Sequence, residues 1–187
     1  MSASEIIITC WCVFIVVWIV SAAKAKPTVE MQSAASMMAH RLPVGLGWWL
    51  LLFPNFPGAF NRQILPRIAE LKIAGAVICV CGLWFTLWAR YTLAGNWSSD
   101  VTFKRDHELI RKGPYHIVRH PIYTGLLVMF VGTTLHIGQL RCFLGLLLMA
   151  IGFWIKLSQE ERLLMRHFPE AYPAYKREVK ALIPFVI

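Results

Sequence analysis

The chain has 187 residues, 57% of them hydrophobic and only 16% charged, with a net charge of +9 at pH 7. That composition excludes an ordinary soluble domain and fits an integral membrane protein. It also argues against a nucleic-acid partner, because the basic residues lie mostly between apolar blocks and not on one soluble face.

In chain order, Ile6–Ala23 is an apolar run close to the roughly 20 residues that a bilayer requires. No basic segment precedes it and no small-residue cleavage site follows, so it reads as a retained membrane helix and not a signal peptide. A polar loop runs from Lys24 to Arg41. The next apolar block, Leu42–Phe60, holds Pro43, Pro54 and Pro57. Proline removes a backbone donor and clashes with the preceding turn, so this block is expected to be kinked or partly re-entrant. Asn61–Lys72 is a short polar connection. Ile73–Leu93 predicts a third helix, with Trp84, Trp88 and Tyr91 gathered at one end like an interfacial aromatic belt.

Ala94–His120 is the longest polar insert. Beyond it, Pro121–Leu135 and Cys142–Lys156 are short apolar runs, each about 22 Å of helix, joined by His136–Arg141. They predict a tight helical hairpin whose two backbones approach each other at Gly125, Gly132, Gly145 and Gly152. Pro121 suits a first helical turn, where its missing N–H costs nothing. From Ser158 the chain is polar and helical again, too charged to span, and is expected to lie at the membrane surface and cap the hairpin. The expected fold is all-α and integral to the membrane. It has about five transmembrane helices, a C-terminal helical hairpin and cytoplasmic surface helices. Residues 1–93 would hold three N-terminal spans and residues 94–187 the catalytic region, with the hairpin at 121–156.

Orientation follows from the basic residues. With five spans, Lys24, Lys26, Arg41, Lys104, Arg105, Arg111, Lys112, Arg119, Lys176, Arg177 and Lys180 share one side, which is then the cytoplasm. Arg62, Arg67 and Lys72 fall on the other side, against the rule. The five cysteines, Cys10, Cys12, Cys79, Cys81 and Cys142, all lie in apolar blocks and read as buried thiols packing like small hydrophobes. The members of each i, i+2 pair point apart on a helix, which disfavours a disulfide or a metal pair. No histidine or cysteine pair has ligand spacing on one face, so no metal is expected.

The insert and the tail collect the polar groups of interest: His107, Tyr115, His116, Arg119, His120, Tyr123, Lys156, Glu160 and Glu161. Ionisable groups at a membrane boundary that face a protein interior mark function. The bland alternative for Arg119 and His120 is a headgroup anchor. The two prolines and two tyrosines of RKGPYHIVRHPIYTG (111–125) shape the backbone more than an anchor needs. Lys156 and Glu160 share a helix face, four residues apart.

The block HELIRKGPYHIVRHPIYTG, followed by EERLLMRHFPEAYPAYKREVKALIPF, resembles the isoprenylcysteine carboxyl methyltransferase family, which is related to the phospholipid N-methyltransferases. The resemblance covers about half the chain, from Asn96 to Phe185. It implies a multi-span membrane enzyme that uses S-adenosylmethionine. The cofactor would be held by His107, Glu108, Leu109, Ile110, Tyr115, His120, Pro121, Ile122, Tyr123, Glu160 and Glu161. Arg119, Lys156 and Glu160 would carry the catalytic roles. Where the prenylcysteine enzymes place a substrate arginine, this chain has Lys156, which keeps the charge but loses the bidentate fork.

The residue chemistry agrees with this resemblance. Glu160 or Glu161 offers an anion for the cofactor's cations. Arg119, His120 or amides at the start of the Pro121 helix offer donors for its carboxylate, and Tyr115 and Tyr123 offer flat faces. A carboxylate acceptor needs a cation to orient it, whereas an amine acceptor needs a base. The acceptor is expected to be an amphiphilic, lipid-soluble molecule reached from the membrane, such as a prenyl-cysteine-like carboxylate, with no obligatory protein partner. Three alternatives stay open. One is a phospholipid N-methyltransferase. Another is an NADPH-dependent membrane sterol or isoprenoid reductase, with Arg111, Lys112 and Arg119 cradling a 2′-phosphate. The third is a non-catalytic membrane protein that binds lipid or a partner subunit, against which the paired motifs argue.

Overall fold

A computed structural model describes residues 1–22, 27–54, 56, 58–97, 101–104 and 108–186. Lys24, Lys26, Pro57 and Arg105 lie outside the described residues. The elements in order are α1 (Ala3–Ala22), β1 (Thr28–Met31), α2 (Ala34–Leu52), α3 (Ala69–Leu93), β2 (Thr102–Lys104), α4 (Pro121–Ile137), α5 (Leu140–His167) and α6 (Ala171–Glu178). Among the described residues, three helices are long and apolar enough to cross a membrane: α1, α3 with its short 3-10 extension to Asn96, and α5. α4 is apolar but shorter. The outer surface carries exposed apolar side chains such as Ile8, Val16, Ile73, Val77, Leu147 and Ile151. This inversion of the soluble pattern identifies an integral membrane protein.

α2 starts eight residues before the predicted Leu42. Ser33 caps it, its hydroxyl accepting from the Ser36 amide at 3.3 Å, and Ala34, Ala35, Met37, Met38 and Ala39 are strong helix formers. The helix therefore runs continuously through Pro43 and ends at Leu52, just before Pro54. α4 begins with Pro121 in its first turn and ends at Gly138, whose φ of 68° suits glycine. Only Gly138 and Gln139 separate α4 from α5. α5 is one unbroken helix of 28 residues, about 42 Å long against a hydrocarbon layer of about 30 Å. The polar turns after Ser158 are thus its projecting end and not a separate surface helix.

Helix pairing corrects one expectation. The four glycines of the predicted hairpin do not bring α4 and α5 together. A Cβ on Gly132 would lie 2.5 Å from the Gly75 carbonyl oxygen, and one on Gly125 would lie 2.8 Å from that of Gly82, so both face α3. A Cβ on Gly145 would lie 3.0 Å from the Gly47 oxygen, and one on Gly152 would lie 2.6 Å from Val44, so these face α2. α4 and α5 diverge from their turn, each sealed against an N-terminal helix. α1 closes the bundle with aromatic rings: Trp11 packs on Trp48 and Phe130 with centroids 4.8 and 5.0 Å away, and its Nε1 donates to Thr133 at 3.1 Å.

Successive helices alternate in direction. At one end, the 53–68 connection meets the α4–α5 turn, where the Ile64 amide donates to the Gly138 carbonyl at 2.8 Å. At the other end, the C-termini of α1 and α3, the N-termini of α2 and α4 and the late turns of α5 converge. Arg90 ties two of them, donating to the Ser21 carbonyl at 2.9 Å and the Ala94 carbonyl at 2.7 Å. β1 and β2 pair antiparallel there, joining the first loop to the long insert. Cys10, Cys79 and Cys142 are buried as expected; Cys12 and Cys81 are exposed on the outer faces of their helices, as i, i+2 spacing dictates.

Candidate active site

The convergent end encloses a cavity of about 250 Å³. Of the residues singled out from the sequence, Glu108, Leu109, Ile110, Tyr115, Arg119, His120, Ile122, Tyr123, Lys156 and Glu160 line it. Pro121 and Glu161 are buried and do not line it, and His107 lies outside the described residues. α5 supplies Phe153, Lys156 and Glu160 at i, i+3 and i+7, one face of the helix near its C-terminal, more polar turns.

Glu160 and Glu161 point different ways, as neighbours on a helix must. The Glu160 carboxylate accepts the Tyr123 hydroxyl, and its other oxygen lies 3.5 Å from His120 Nδ1. Glu161 accepts from Arg119 Nε at 2.9 Å, Arg119 Nη2 at 2.5 Å and Lys176 Nζ at 2.7 Å. His120 Nε2 lies 3.3 Å from Glu161 Oε1, the oxygen that Arg119 binds, so one imidazole bridges both carboxylates. His120, Tyr123 and Phe153 form a ladder of near-parallel rings, with centroid spacings of 5.7 and 5.1 Å. Lys156 Nζ sits 5.3 Å from the Tyr123 centroid. The Tyr123 ring is therefore engaged by its neighbours, and of the two tyrosines expected to offer a face to a ligand Tyr115 is the one left. Burial and then Glu160 push the Tyr115 phenol well above its usual range, so it stays protonated.

Burial opposes charging His120, but hydrogen bonds and attraction from Glu160 and Glu161 outweigh it, and the imidazole titrates above its ordinary 6.5. A raised folded-state pKa stabilises the fold fully below the unfolded value and loses that contribution as pH rises through the folded value. The thermal midpoint should therefore fall as pH rises above 6.5, and His120→Gln should flatten this slope. Thermal scans between about pH 6 and about pH 9, from just below free His to below free Tyr, test this; an unaltered slope in the variant would assign it to another group.

The tail closes the cavity from outside. The Arg119 and His120 amides donate to the Lys180 and Ala181 carbonyls at 2.8 and 3.0 Å, and the Thr124 hydroxyl donates to Leu182 at 2.8 Å. α6 adds Tyr172 and Tyr175 to the wall, and the Tyr175 hydroxyl donates to the Tyr115 carbonyl. The N-terminal half adds Trp18 from the end of α1, and Asn96 and Trp97 from the turn after α3. That turn passes through Ala94 at φ 48° and ψ −126°, a strained conformation for a residue with a Cβ, which Arg90 holds by its carbonyl.

A family model described as phospholipid methyltransferase matches residues 71–171, just over half of the chain. Protein-S-isoprenylcysteine O-methyltransferase B of Arabidopsis thaliana is 31% identical over 152 residues, covering 73% of this chain and 77% of the relative. The chain belongs to the isoprenylcysteine carboxyl methyltransferase family. The protein-S-isoprenylcysteine O-methyltransferases of Xenopus laevis and Schizosaccharomyces pombe are 28% and 34% identical over 125 and 97 residues. These matches cover 65% and 49% of the chain, which spans only 43% and 40% of those two relatives' length.

Within this isoprenylcysteine carboxyl methyltransferase family member, the matched segment runs from α3 to the start of α6 and contains most of the cavity wall. Sequence reasoning missed Trp18 and Trp97, one in the first apolar run and one in the polar insert, because only the packing of α1 and α3 brings them to the site. Tyr172 and Tyr175 had a usable signal: three residues apart on a charged helix, they share its buried face.

Proposed function

We propose that the protein is an S-adenosylmethionine-dependent methyltransferase that esterifies the carboxylate of a prenyl-cysteine-like or other amphiphilic acceptor. One observation carries this reading. A single cavity combines a half-buried carboxylate (Glu160), an ammonium (Lys156) and aromatic walls at the ends of membrane-length helices. That donor set suits the cofactor: Glu160 for a cationic group, Tyr115 and Trp97 for flat faces. The first-turn amides of Ile122 and Tyr123, which have no intrahelical acceptor, suit a carboxylate.

When bound, S-adenosylmethionine supplies a methyl group already activated by its sulfonium. That methyl group would pass to the acceptor oxygen with the sulfur as leaving group, so the reaction asks no redox or acid–base chemistry of the protein. The protein's part is alignment and exclusion of water, which can account for several kcal/mol of the barrier. A carboxylate acceptor needs no base, so Lys156 serves to orient it. Arg119 is already committed: its guanidinium donates to Glu161 and to the Val179 and Lys176 carbonyls. Arg111 likewise pairs with Glu178 and stacks 5.0 Å from the Tyr175 centroid. With both arginines engaged, the cradle for a 2′-phosphate is lost, which disfavours the reductase alternative.

The helices alternate as five crossings would, with Lys112, Lys176, Arg177 and Lys180 at the site end, so the site faces the cytoplasm in this reading. The test is methyl transfer from radiolabelled S-adenosylmethionine in nanodiscs. Base-labile label on N-acetyl-S-farnesylcysteine is expected. Base-stable label on phosphatidylethanolamine would instead assign an N-methyltransferase, and Lys156→Met should raise KM for the carboxylate acceptor at least about 10-fold, the loss of one charge-assisted contact.

A further inference from the structure

Two adjacent glutamates at one site invite the same role, and the geometry separates them. Glu160 lines the cavity; Glu161 is 5% exposed, does not line it, and has its oxygens occupied by Arg119, His120 and Lys176. Lys176 is the contact that matters here. It stands on α6, and its 2.7 Å bond to Glu161 fastens α6 to α5. Arg119, held by the same carboxylate, reaches the tail a second time through the Lys176 and Val179 carbonyls. The elements so fastened carry Tyr172 and Tyr175 in the cavity wall. Glu161 thus touches the cavity only through what it holds in place.

We infer that Glu161 is a positioning residue and not a cofactor ligand: with Arg119 and Lys176 it anchors the C-terminal tail across the cavity, and cofactor retention depends on that anchor. This rests on the cofactor reading above. Glu160 then meets the ligand while Glu161 sets the wall behind it, and loss of either should weaken binding by different routes.

The experiment pairs amide hydrogen exchange of residues 171–182 with binding of S-adenosylhomocysteine to the full-length protein in detergent. Glu161→Gln and Lys176→Met should each speed exchange in the tail at least about 10-fold and raise the Kd about 10-fold, mainly through faster dissociation, as for loss of a charge-assisted contact. Because they break one shared link, the double variant should be no worse than Glu161→Gln alone. Lys176 is half-exposed, so its variant leaves the buried helix faces intact if Glu161→Gln fails to fold. Glu160→Gln should raise the Kd with tail exchange unchanged. A raised Kd in Glu161→Gln with unchanged tail exchange would make Glu161 a direct ligand and overturn the inference. Faster exchange with unchanged Kd would equally overturn it, by removing the tail from the site. If the wild type binds no S-adenosylhomocysteine, the cofactor reading fails, while exchange in the ligand-free variants still decides whether Glu161 anchors the tail.

Discussion

Gly132→Val is expected to abolish the folded protein. A Cβ there would meet the Gly75 carbonyl oxygen at 2.5 Å and the Cys79 amide nitrogen at 2.6 Å, both backbone atoms of α3 that cannot rotate away. Separating the two helices would also lift Gly125 from Gly82 and break the α3–α4 seam along its length. Overpacking typically costs about 1–3 kcal/mol when side chains can adjust; here only backbones can, so the cost should exceed ~3 kcal/mol, a large share of a typical ~5–15 kcal/mol stability. Size-exclusion profiles and thermal unfolding in detergent check this. Gly45→Ala is the control: its Cβ would meet nothing within 4 Å, and it should be neutral or slightly stabilising. A monodisperse Gly132→Val protein with the wild-type midpoint would mean that the α3–α4 seam is looser than its geometry.

Glu160→Gln is expected to weaken S-adenosylmethionine binding about 10- to 100-fold, or ~1.4–2.7 kcal/mol, the range for hydrogen bonds to charged groups. The substitution is isosteric and keeps an acceptor for the Tyr123 hydroxyl, so helicity should be retained. What it removes is the negative charge that favours the protonated form of His120 on one side and faces the cavity on the other. Titration calorimetry on the detergent-solubilised protein reads the loss; full affinity in this variant would place the cationic part of the cofactor elsewhere.

Much of the site was legible because chemistry and order coincide in the chain. The basic, proline-framed turn before α4 and the paired glutamates late in α5 stand out from their apolar surroundings, and the structure brings His120, Tyr123, Lys156 and Glu160 to one cavity. Two things were not legible. Ala34–Arg41 reads as loop by hydropathy, since its helix rests on a serine cap and intrinsic propensity and not on apolar periodicity. The glycines announce close backbone approach but carry no information about which helix approaches. Gly125 and Gly132 match Gly82 and Gly75 at the same seven-residue spacing, yet Gly145 and Gly152 have that spacing too, and only three-dimensional packing assigns the partners.

That assignment dictates an order of assembly as the chain leaves the ribosome. α3 and α4 are consecutive apolar helices and can seal against each other while the chain is still short. α2 is not among the three helices apolar enough to cross unaided, carries Pro43, and has its groove on α5, whose Gly145 lies almost a hundred residues downstream of Gly47. Until α5 emerges, α2 has no partner for its glycine face, and α5 is also the helix that brings Lys156 and Glu160. Closure of the bundle and arrival of the chemistry are therefore one late event, and a nascent chain that stops short of α5 has neither.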